Sequence, residues 1–510
     1  MRVRSFALWA ALGVALSTAG AFLLPTSTAR GDGPAGKGAD PDPGYDPPSA
    51  NAHFVDGKTL LLDGRLGHTS VARDTSGVGA GTFVLATVTG ADLTPGDHFA
   101  PPPVHLAIVV DRSGSMAGPK MANAVAAAIG AIDRMHDGDR ATVIAFDTTA
   151  RVVVPPTIVD GSSRPSVEAA VRAMRAGGDT CISCALDTAT SALDSSPGPR
   201  DEVRRVLLIS DGEATTGVRD VNGLRSLAAR ARDRGLSVST IGVDLAFDER
   251  VMAAIAQESN GRHWFVPDAS ALTQVFEEEL GTLETAVAGD AELTIEPAPG
   301  VVLDDVLDRS FRREGGRLVV PLGAFDAKQE KTVLVRTRVP AEADGVQQVV
   351  KLSLRYRDVL RRDDGRCEGA LSLDVRSDGS AQRELDPFVA ARVERSRTSR
   401  ALTDANDLFE RGRIDEARAA LARRQNELAT AAPTALAAGN AIPAPAKRAS
   451  RPLDKDFGEQ QSALAQAQAG FAPPPTAGIS GAAGAPAQPS SPAGKSAVKQ
   501  NQANASDLAF

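Results

Sequence analysis

Apolar and polar positions change their spacing several times along the chain. From Val104 to about Thr285, apolar runs such as LAIVV and VLLIS alternate with segments whose apolar residues recur at helical spacing. This alternation predicts a mainly parallel sheet with helices on both of its faces. The segments on either side, 53–103 and 288–380, contain short apolar runs separated by turn residues, which predicts strands without helices.

The predicted fold class is therefore α/β, with a Rossmann-like, doubly wound sheet inserted in, or flanked by, an all-β sandwich-like domain. Each β-rich segment alone has too few strands for a stable sandwich, so we expect 288–380 to pair with 53–103. Helical spacing returns on both sides of Gly412, which predicts a helical hairpin that resembles a tetratricopeptide repeat. The predicted parts are a signal peptide or anchor (1–29), a disordered linker (30–52), a β-rich segment (53–103), the α/β domain (104–287), the second β-rich segment (288–380), the hairpin (384–431) and a disordered tail (432–510).

The N-terminus has the pattern of a secretory signal. Arg2 and Arg4 precede an uncharged stretch from Phe6 to Leu24, and small residues at Ser27 and Ala29 fit cleavage before Arg30. An uncleaved anchor is the open alternative, because the apolar run is close to the roughly 20 residues that cross a bilayer. Both interpretations predict export to the periplasm, the cell surface or the extracellular space.

The two ends of the chain also differ from its middle in composition. The linker is rich in Gly, Pro and Asp, and the tail is rich in Ala and Pro. Such segments bury little apolar surface, so we expect both to be disordered.

Charge and composition exclude several function classes. The chain has 56 Lys and Arg against 64 Asp and Glu, a net charge of -8, which argues against a nucleic-acid partner held by phosphate neutralisation. Its six histidines show no HExxH spacing, and three cysteines do not complete a zinc cage. Any bound metal must therefore use oxygen ligands.

Oxygen ligands are concentrated at the ends of two predicted strands. Asp111, Ser113 and Ser115 follow the first strand of the α/β segment, and Asp211 ends the strand VLLISD. Thr180 lies in the connection GGDTCISCAL between two helices. Because ligands of open α/β sheets bind at the carboxyl edge, these side chains are expected to converge there, and they suit Mg²⁺ (or Mn²⁺).

These five residues resemble the complete metal-ion-dependent adhesion site (MIDAS) of von Willebrand factor type A domains, with the expected residue types in the expected order. The resemblance covers Val104 to Thr285. It implies that Ser113, Ser115 and Thr180 bind the metal directly and that Asp111 and Asp211 act mostly through water. It also implies a protein partner that supplies a carboxylate to the metal. The flanking strands are loosely similar to those that accompany this domain in inter-alpha-trypsin inhibitor heavy chains.

The function predicted from this resemblance is an exported, non-enzymatic module for protein binding, adhesion or complex assembly. One alternative is an adaptor or co-chaperone of a MoxR-type AAA+ ATPase, a cytoplasmic role that the export signal opposes. A hydrolase using Asp111 or Ser113 is the other, but Ser attack needs an adjacent base and only His105 is near in sequence.

The cysteines allow two interpretations. Cys181 and Cys184, three positions apart at a helix start, share one helix face. They either form a small disulfide, or serve as a redox switch on that loop, or are simply buried. Cys367 lies in the hydrophilic run RRDDGRCEG, which predicts exposure.

Overall fold

The computed structural model describes residues 49, 51–54, 59–93, 101–441, 451–472 and 488–509. The predicted signal segment, most of the linker and three parts of the tail (442–450, 473–487 and 510) lie outside these ranges. Of the helices within them, none is long and apolar enough to cross a membrane.

Four strands precede the central domain: β1 (Asn51–Phe54), β2 (Leu60–Leu66), β3 (Ser70–Ala72) and β4 (Ala80–Gly90). The strands of the central domain are β5 (Val104–Asp111), β6 (Arg140–Phe146), β7 (Ala150–Ile158), β8 (Val203–Ser210), β9 (Ser237–Val243) and β10 (His263–Val266). Its helices are α1 (Pro119–Arg134), α2 (Arg164–Arg172), α3 (Ile182–Asp194), α4 (Val221–Arg232), α5 (Glu249–Glu258) and α6 (Leu272–Glu284).

The central domain is a six-stranded sheet in the order β10-β9-β8-β5-β6-β7. All neighbours are parallel except β7, which runs antiparallel to β6 at one edge. Strand β5 is buried along its whole length, and Ile108 and Val109 point into separate apolar cores on the two faces of the sheet. Helices cover both faces, which confirms the predicted doubly wound class.

Seven strands follow the central domain: β11 (Ala286–Pro297), β12 (Val302–Leu307), β13 (Arg312–Glu314), β14 (Arg317–Asp326), β15 (Glu330–Val339), β16 (Gly345–Asp358) and β17 (Asp363–Arg376). They combine with the first four into two sheets, ordered β1-β2-β4-β15-β12 and β13-β14-β11-β16-β17-β3. Strand β4 pairs with β15 over ten consecutive residues, from Ala80–Val339 to Thr89–Glu330. One apolar core lies between the sheets, so the chain builds a β-sandwich from segments on both sides of the central domain.

The described part of the chain after β17 contains four helices: α7 (Pro387–Glu410), α8 (Ile414–Ala441), α9 (Leu453–Gly470) and α10 (Pro492–Ala509). The break between α7 and α8 contains Gly412 at φ +77°, a left-handed conformation that glycine adopts without strain. The four helices share one apolar core, and within it the rings of Phe409 and Phe471 stack at 4.0 Å.

This helical bundle corrects the expectation of a disordered tail from residue 432. Helix α8 runs on through Pro433, and α9 and α10 lie wholly within the segment expected to be disordered. Alanine is the strongest helix former. The few large apolar side chains of α9, such as Phe457 and Leu464, lie on the same face of the helix and are buried. The expectation of disorder rested on the Ala and Pro content of the tail, which does not reveal the helical spacing of these apolar residues.

Candidate metal centre

Two neighbouring parallel strands bring the candidate carboxylates to one edge of the central sheet. Strand β5 ends at Asp111, strand β8 ends at Ser210, and Asp211 follows directly. The register pairs Val110 with Ile209, so both aspartates leave the sheet at the same level. Both are fully buried.

The two serines lie in a tight turn between β5 and α1. A single 3-10 turn covers Gly114–Met116, and the backbone amide of Ser113 donates to Asp111 Oδ1 over 2.8 Å. The two serine hydroxyls are 3.1 Å apart, and Ser115 Oγ donates to Asp211 Oδ1 over 2.7 Å. The turn therefore links one strand end to the other through hydroxyl groups.

Thr180 reaches the same place from the loop before α3. Its amide donates to Thr215 Oγ1 over 2.9 Å, and its carbonyl accepts from the amide of Thr215 over 2.9 Å. A Cβ placed on Gly212 would lie 3.5 Å from Thr180 Oγ1 and 3.7 Å from Ser115 Oγ. Both hydroxyls thus border the space beside this glycine, and the structure brings all five predicted residues together.

The spacing of these oxygens fits a small, hard cation. In an octahedron with metal–oxygen distances of about 2.1 Å, neighbouring ligand oxygens are roughly 3.0 Å apart. The observed separation of 3.1 Å between the hydroxyls of Ser113 and Ser115, the two proposed direct ligands in this turn, is close to that value. Within the described ranges, no group of three or more His, Cys, Asp or Glu residues is placed to hold a metal. A metal at this edge would therefore depend on the hydroxyl oxygens.

Burial controls the charge of Asp111. It raises the pKa of this carboxyl group to about 6, against the opposing effect of hydrogen bonds from Ser210 and Ser113. Loss of water disfavours an anion unless a cation or donors replace the solvent. The site is thus built to favour a positive charge.

Lys120, in the first turn of α1, is a part of the site that the sequence analysis missed. Its Nζ lies 2.7 Å from Asp211 Oδ2 and 2.9 Å from Asp244 Oδ2, and Asp244 follows β9 at the same sheet edge. Burial lowers the pKa of Lys120, but its hydrogen bonds to both carboxylates outweigh burial and raise it. In the sequence, the strand end IGVD could have indicated Asp244, because it places a third aspartate in the same topological position as Asp111 and Asp211.

The cysteines lie beside this site. Cys181 and Cys184 form a disulfide across the first turn of α3, directly after Thr180. Cys367 is buried in the core of the β-sandwich, so the predicted exposure was wrong. Its neighbours in sequence are hydrophilic because β17 alternates, with Cys367 on the face that points into the sandwich.

The family model of the von Willebrand factor type A domain matches residues 105–278. The central part of this chain is a von Willebrand factor type A domain, as the site residues predicted; such domains are typically protein-interaction modules.

Two curated relatives extend the similarity beyond that domain. The chain is 26% identical over 310 residues to an uncharacterized protein of Synechocystis sp., covering 59% of this chain and 71% of the relative. It is 25% identical over 242 residues to human inter-alpha-trypsin inhibitor heavy chain H4, covering 44% of this chain but only 25% of the relative. The chain also spans about a third, 35%, of the uncharacterized Escherichia coli protein YfbK.

Two solved structures share the fold over most of the chain. A von Willebrand factor type A protein from Catenulispora acidiphila aligns with a TM-score of 0.62 at 20% identity, covering 81% of this chain and 99% of that one. The ArnB paralog VWA2 from Sulfolobus acidocaldarius aligns with a TM-score of 0.52 at 16% identity, covering 80% and 98%. Because 105–278 is a much smaller share of the chain, the shared fold includes regions outside the type A domain.

Proposed function

We propose that this chain is an exported binding module that holds Mg²⁺ at the candidate metal centre and captures an acidic residue of a partner protein. The observation that carries the proposal is the convergence of three hydroxyl groups and two buried carboxylates at one sheet edge. Ser113, Ser115 and Thr180 would hold the ion directly, and Asp111 and Asp211 would act mostly through water.

The type of ligand supports capture of a carboxylate. Hydroxyl groups are neutral, so they leave most of the charge of a divalent cation uncompensated. A bound Mg²⁺ supplies a strong electrostatic attraction for a further oxygen anion and keeps exchangeable water at the remaining positions. The chain itself fixes the hydroxyls through the short turn after β5 and the backbone contacts of Thr180.

Export is part of the proposal and rests on the N-terminal sequence pattern. The basic residues, the apolar stretch and the small residues before Arg30 support it. An uncleaved anchor would keep the binding module at the membrane.

A hydrolase is less well supported by the surroundings of the serines. His105 lies at the amino end of β5, the strand end opposite Asp111, and its Nε2 contacts Thr142 Oγ1 at 2.9 Å. Burial lowers the pKa of His105 to about 3. Such a histidine does not reach Ser113 to activate it as a nucleophile.

The metal claim is tested by calorimetric titration of Mg²⁺ and Mn²⁺ into wild type, Asp111→Ala and Ser115→Ala. We expect saturable binding by wild type and a loss of at least tenfold in affinity in both variants, since each removes an oxygen of the site. Ser226→Ala is the matched control, because Ser226 is exposed on α4 and, among the described residues, its hydroxyl donates to the carbonyl of Asn222 alone. Equal heats in wild type and both site variants would disprove the metal claim.

The partner claim is tested by pull-down from a cell-envelope fraction with Mg²⁺ or with chelator, using the same variants. We expect a protein that is retained by wild type and Ser226→Ala in Mg²⁺ and released by chelation. If the partner protein is still retained in the presence of chelator and by the Asp111→Ala variant, carboxylate capture is contradicted. Retention of an ATPase from a cytoplasmic fraction alone would instead favour the adaptor alternative.

A further inference from the structure

A cavity of about 670 Å³ lies where the type A domain meets the β-sandwich. It is bordered by the loop before β8, the end of α4 and residues of β11, β14 and β16. Arg204, in its wall, is at the amino end of β8, whereas Asp211 follows the carboxyl end. At about 3.3 Å per residue these ends are roughly 23 Å apart, so the cavity is separate from the metal centre.

The wall of this cavity carries an excess of positive charge. Seven arginines and four carboxylate residues line it. One of the four, Glu202, forms a salt bridge of 2.7 Å with Arg140. Arg140 lies outside the cavity wall. Three of the arginines likewise have carboxylate partners outside the wall: Arg205 pairs with Glu279, Arg232 with Glu258 and Arg234 with Asp194. The remaining wall has four arginines (Arg200, Arg204, Arg312 and Arg357) and three carboxylate residues (Asp233, Asp290 and Glu292), a net excess of one positive charge.

Three of the arginines, Arg200, Arg204 and Arg357, line this same cavity. Burial lowers the pKa of Arg357 and the charges of Arg204 and Arg200 lower it further, whereas the carboxylates of Asp364 and Asp201 raise it. A Cβ on Gly235 would lie 3.4 Å from a terminal nitrogen of Arg204 and 2.9 Å from Asp290, the residue with which Arg357 pairs. Arg204 and Asp290 thus border the same space beside Gly235, and Arg357 reaches Asp290 from β16.

Arg200 completes the group from the exposed loop before β8. Within the described ranges its side chain has no hydrogen bond or ion pair. Among the described residues, the one carboxylate that Arg204 contacts is Asp194, at 3.5 Å, and Asp194 also pairs with Arg234. Nη2 of Arg204 also donates to the carbonyl of Arg234. The donors of Arg200, and part of those of Arg204, are therefore available to a ligand.

We propose that this cavity binds a phosphate or sulfate group through Arg200, Arg204 and Arg357. Guanidinium groups bind such oxyanions with two parallel hydrogen bonds, and a doubly charged anion relieves the repulsion among clustered arginines. The volume lies in the range of small-molecule sites, so the group is carried by a compact ligand such as a phosphate or sulfate ester.

Titration calorimetry with inorganic phosphate and with sulfate, in EDTA at constant ionic strength set by chloride, tests this site on the full chain. EDTA removes divalent ions, so the outcome is independent of the metal centre. We expect saturable binding by wild type and about tenfold weaker binding by Arg200→Gln, because one charge-assisted contact is lost. Arg200 is exposed and unpaired among the described residues, so its replacement leaves the fold intact.

Arg418→Gln is the matched control, since Arg418 is exposed on α8, away from the cavity, and the substitution removes the same charge. It should bind like wild type. Tighter binding of phosphate points to phosphate esters, and tighter binding of sulfate points to sulfate esters. The absence of saturable heat with both anions, or equal affinities of wild type and Arg200→Gln, overturns the proposal.

Discussion

Lys120 sets the charge balance of the metal centre. Its ammonium group bridges Asp211 and Asp244, with Nζ–oxygen distances of 2.7 Å and 2.9 Å. The lysine thus neutralises part of the negative charge that would attract a cation. An ammonium group and a divalent ion about 6 Å apart repel by roughly 1.4 kcal/mol even with the screening of bulk water.

We therefore expect Lys120→Met to bind Mg²⁺ at least about tenfold more tightly than wild type, as measured by calorimetry. Lys455→Met, which removes an exposed lysine from α9, should leave the affinity unchanged. Weaker binding by Lys120→Met would contradict this view and would show that the lysine mainly positions Asp211.

The difference between the predicted and the observed site also belongs to the residue scale. Asp111 and Asp211 could be predicted because strand ends in a parallel sheet share an edge. Thr180 lies in a loop without strand periodicity, so its position at this edge was an expectation from the connection between two helices, and its role as a direct ligand came from the family resemblance alone. Lys120 and Asp244 were missed because a salt bridge between a helix and a distant strand end depends on side-chain reach, which sequence spacing does not encode.

At the scale of elements, the first turn of α3 is fixed by the disulfide between Cys181 and Cys184. The loop after Asp211 packs on this turn: Gly217, at φ +72°, leaves no room for a Cβ beside Ser183 and Cys181. The amide of Cys181 also donates to the carbonyl of Asp147 over 2.8 Å. The disulfide therefore fixes the turn that begins directly after Thr180.

We expect mass spectrometry of unreduced protein to show the Cys181–Cys184 link. Reduction or the double change to serine should destabilise the folded state by about 2 kcal/mol, the chain-entropy value for so short a loop. It should also weaken Mg²⁺ binding, because Thr180 loses its rigid neighbour. Both thiols freely alkylated without reductant would rule out the link.

The C-terminal helices show why element prediction failed there. Large apolar side chains are rare in α9 and α10, and their partners lie far away in sequence, as Phe471 does from Phe409. The four inner strands of the central sheet (β5, β6, β8 and β9) were easier to predict because each buries a continuous run of residues within its own length. When a helix packs against apolar side chains from distant segments, its own sequence shows only a weak apolar pattern.

At the scale of the whole molecule, α10 joins the helical bundle to the type A domain. Lys499 is buried, and its Nζ donates to the carbonyl of Phe247 over 2.6 Å and to Glu249 over 2.8 Å. Its ammonium group also lies 3.9 Å from the centre of the Phe247 ring. Phe247 belongs to the loop that begins with Asp244, so the end of the chain contacts the same loop as Lys120.

We expect Lys499→Met to weaken this contact by about 3 kcal/mol, because it leaves the carboxylate of Glu249 buried without its cation. Amide exchange in α5 should accelerate by roughly a hundredfold, as followed by hydrogen-exchange mass spectrometry. Lys495→Met, on the exposed side of α10, is the control and should exchange like wild type. Unchanged exchange in Lys499→Met would show that α10 is not a brace.

The pairing of β4 with β15 has a consequence for biosynthesis. All of residues 91–329 must emerge, from the ribosome or from the export machinery, before β4 meets its partner, whereas every strand of the type A sheet lies within that interval. The type A domain is thus complete while β2 and β4 still present an unpaired edge. Vectorial folding from the N-terminus gives the nascent chain a long period in which this edge needs protection.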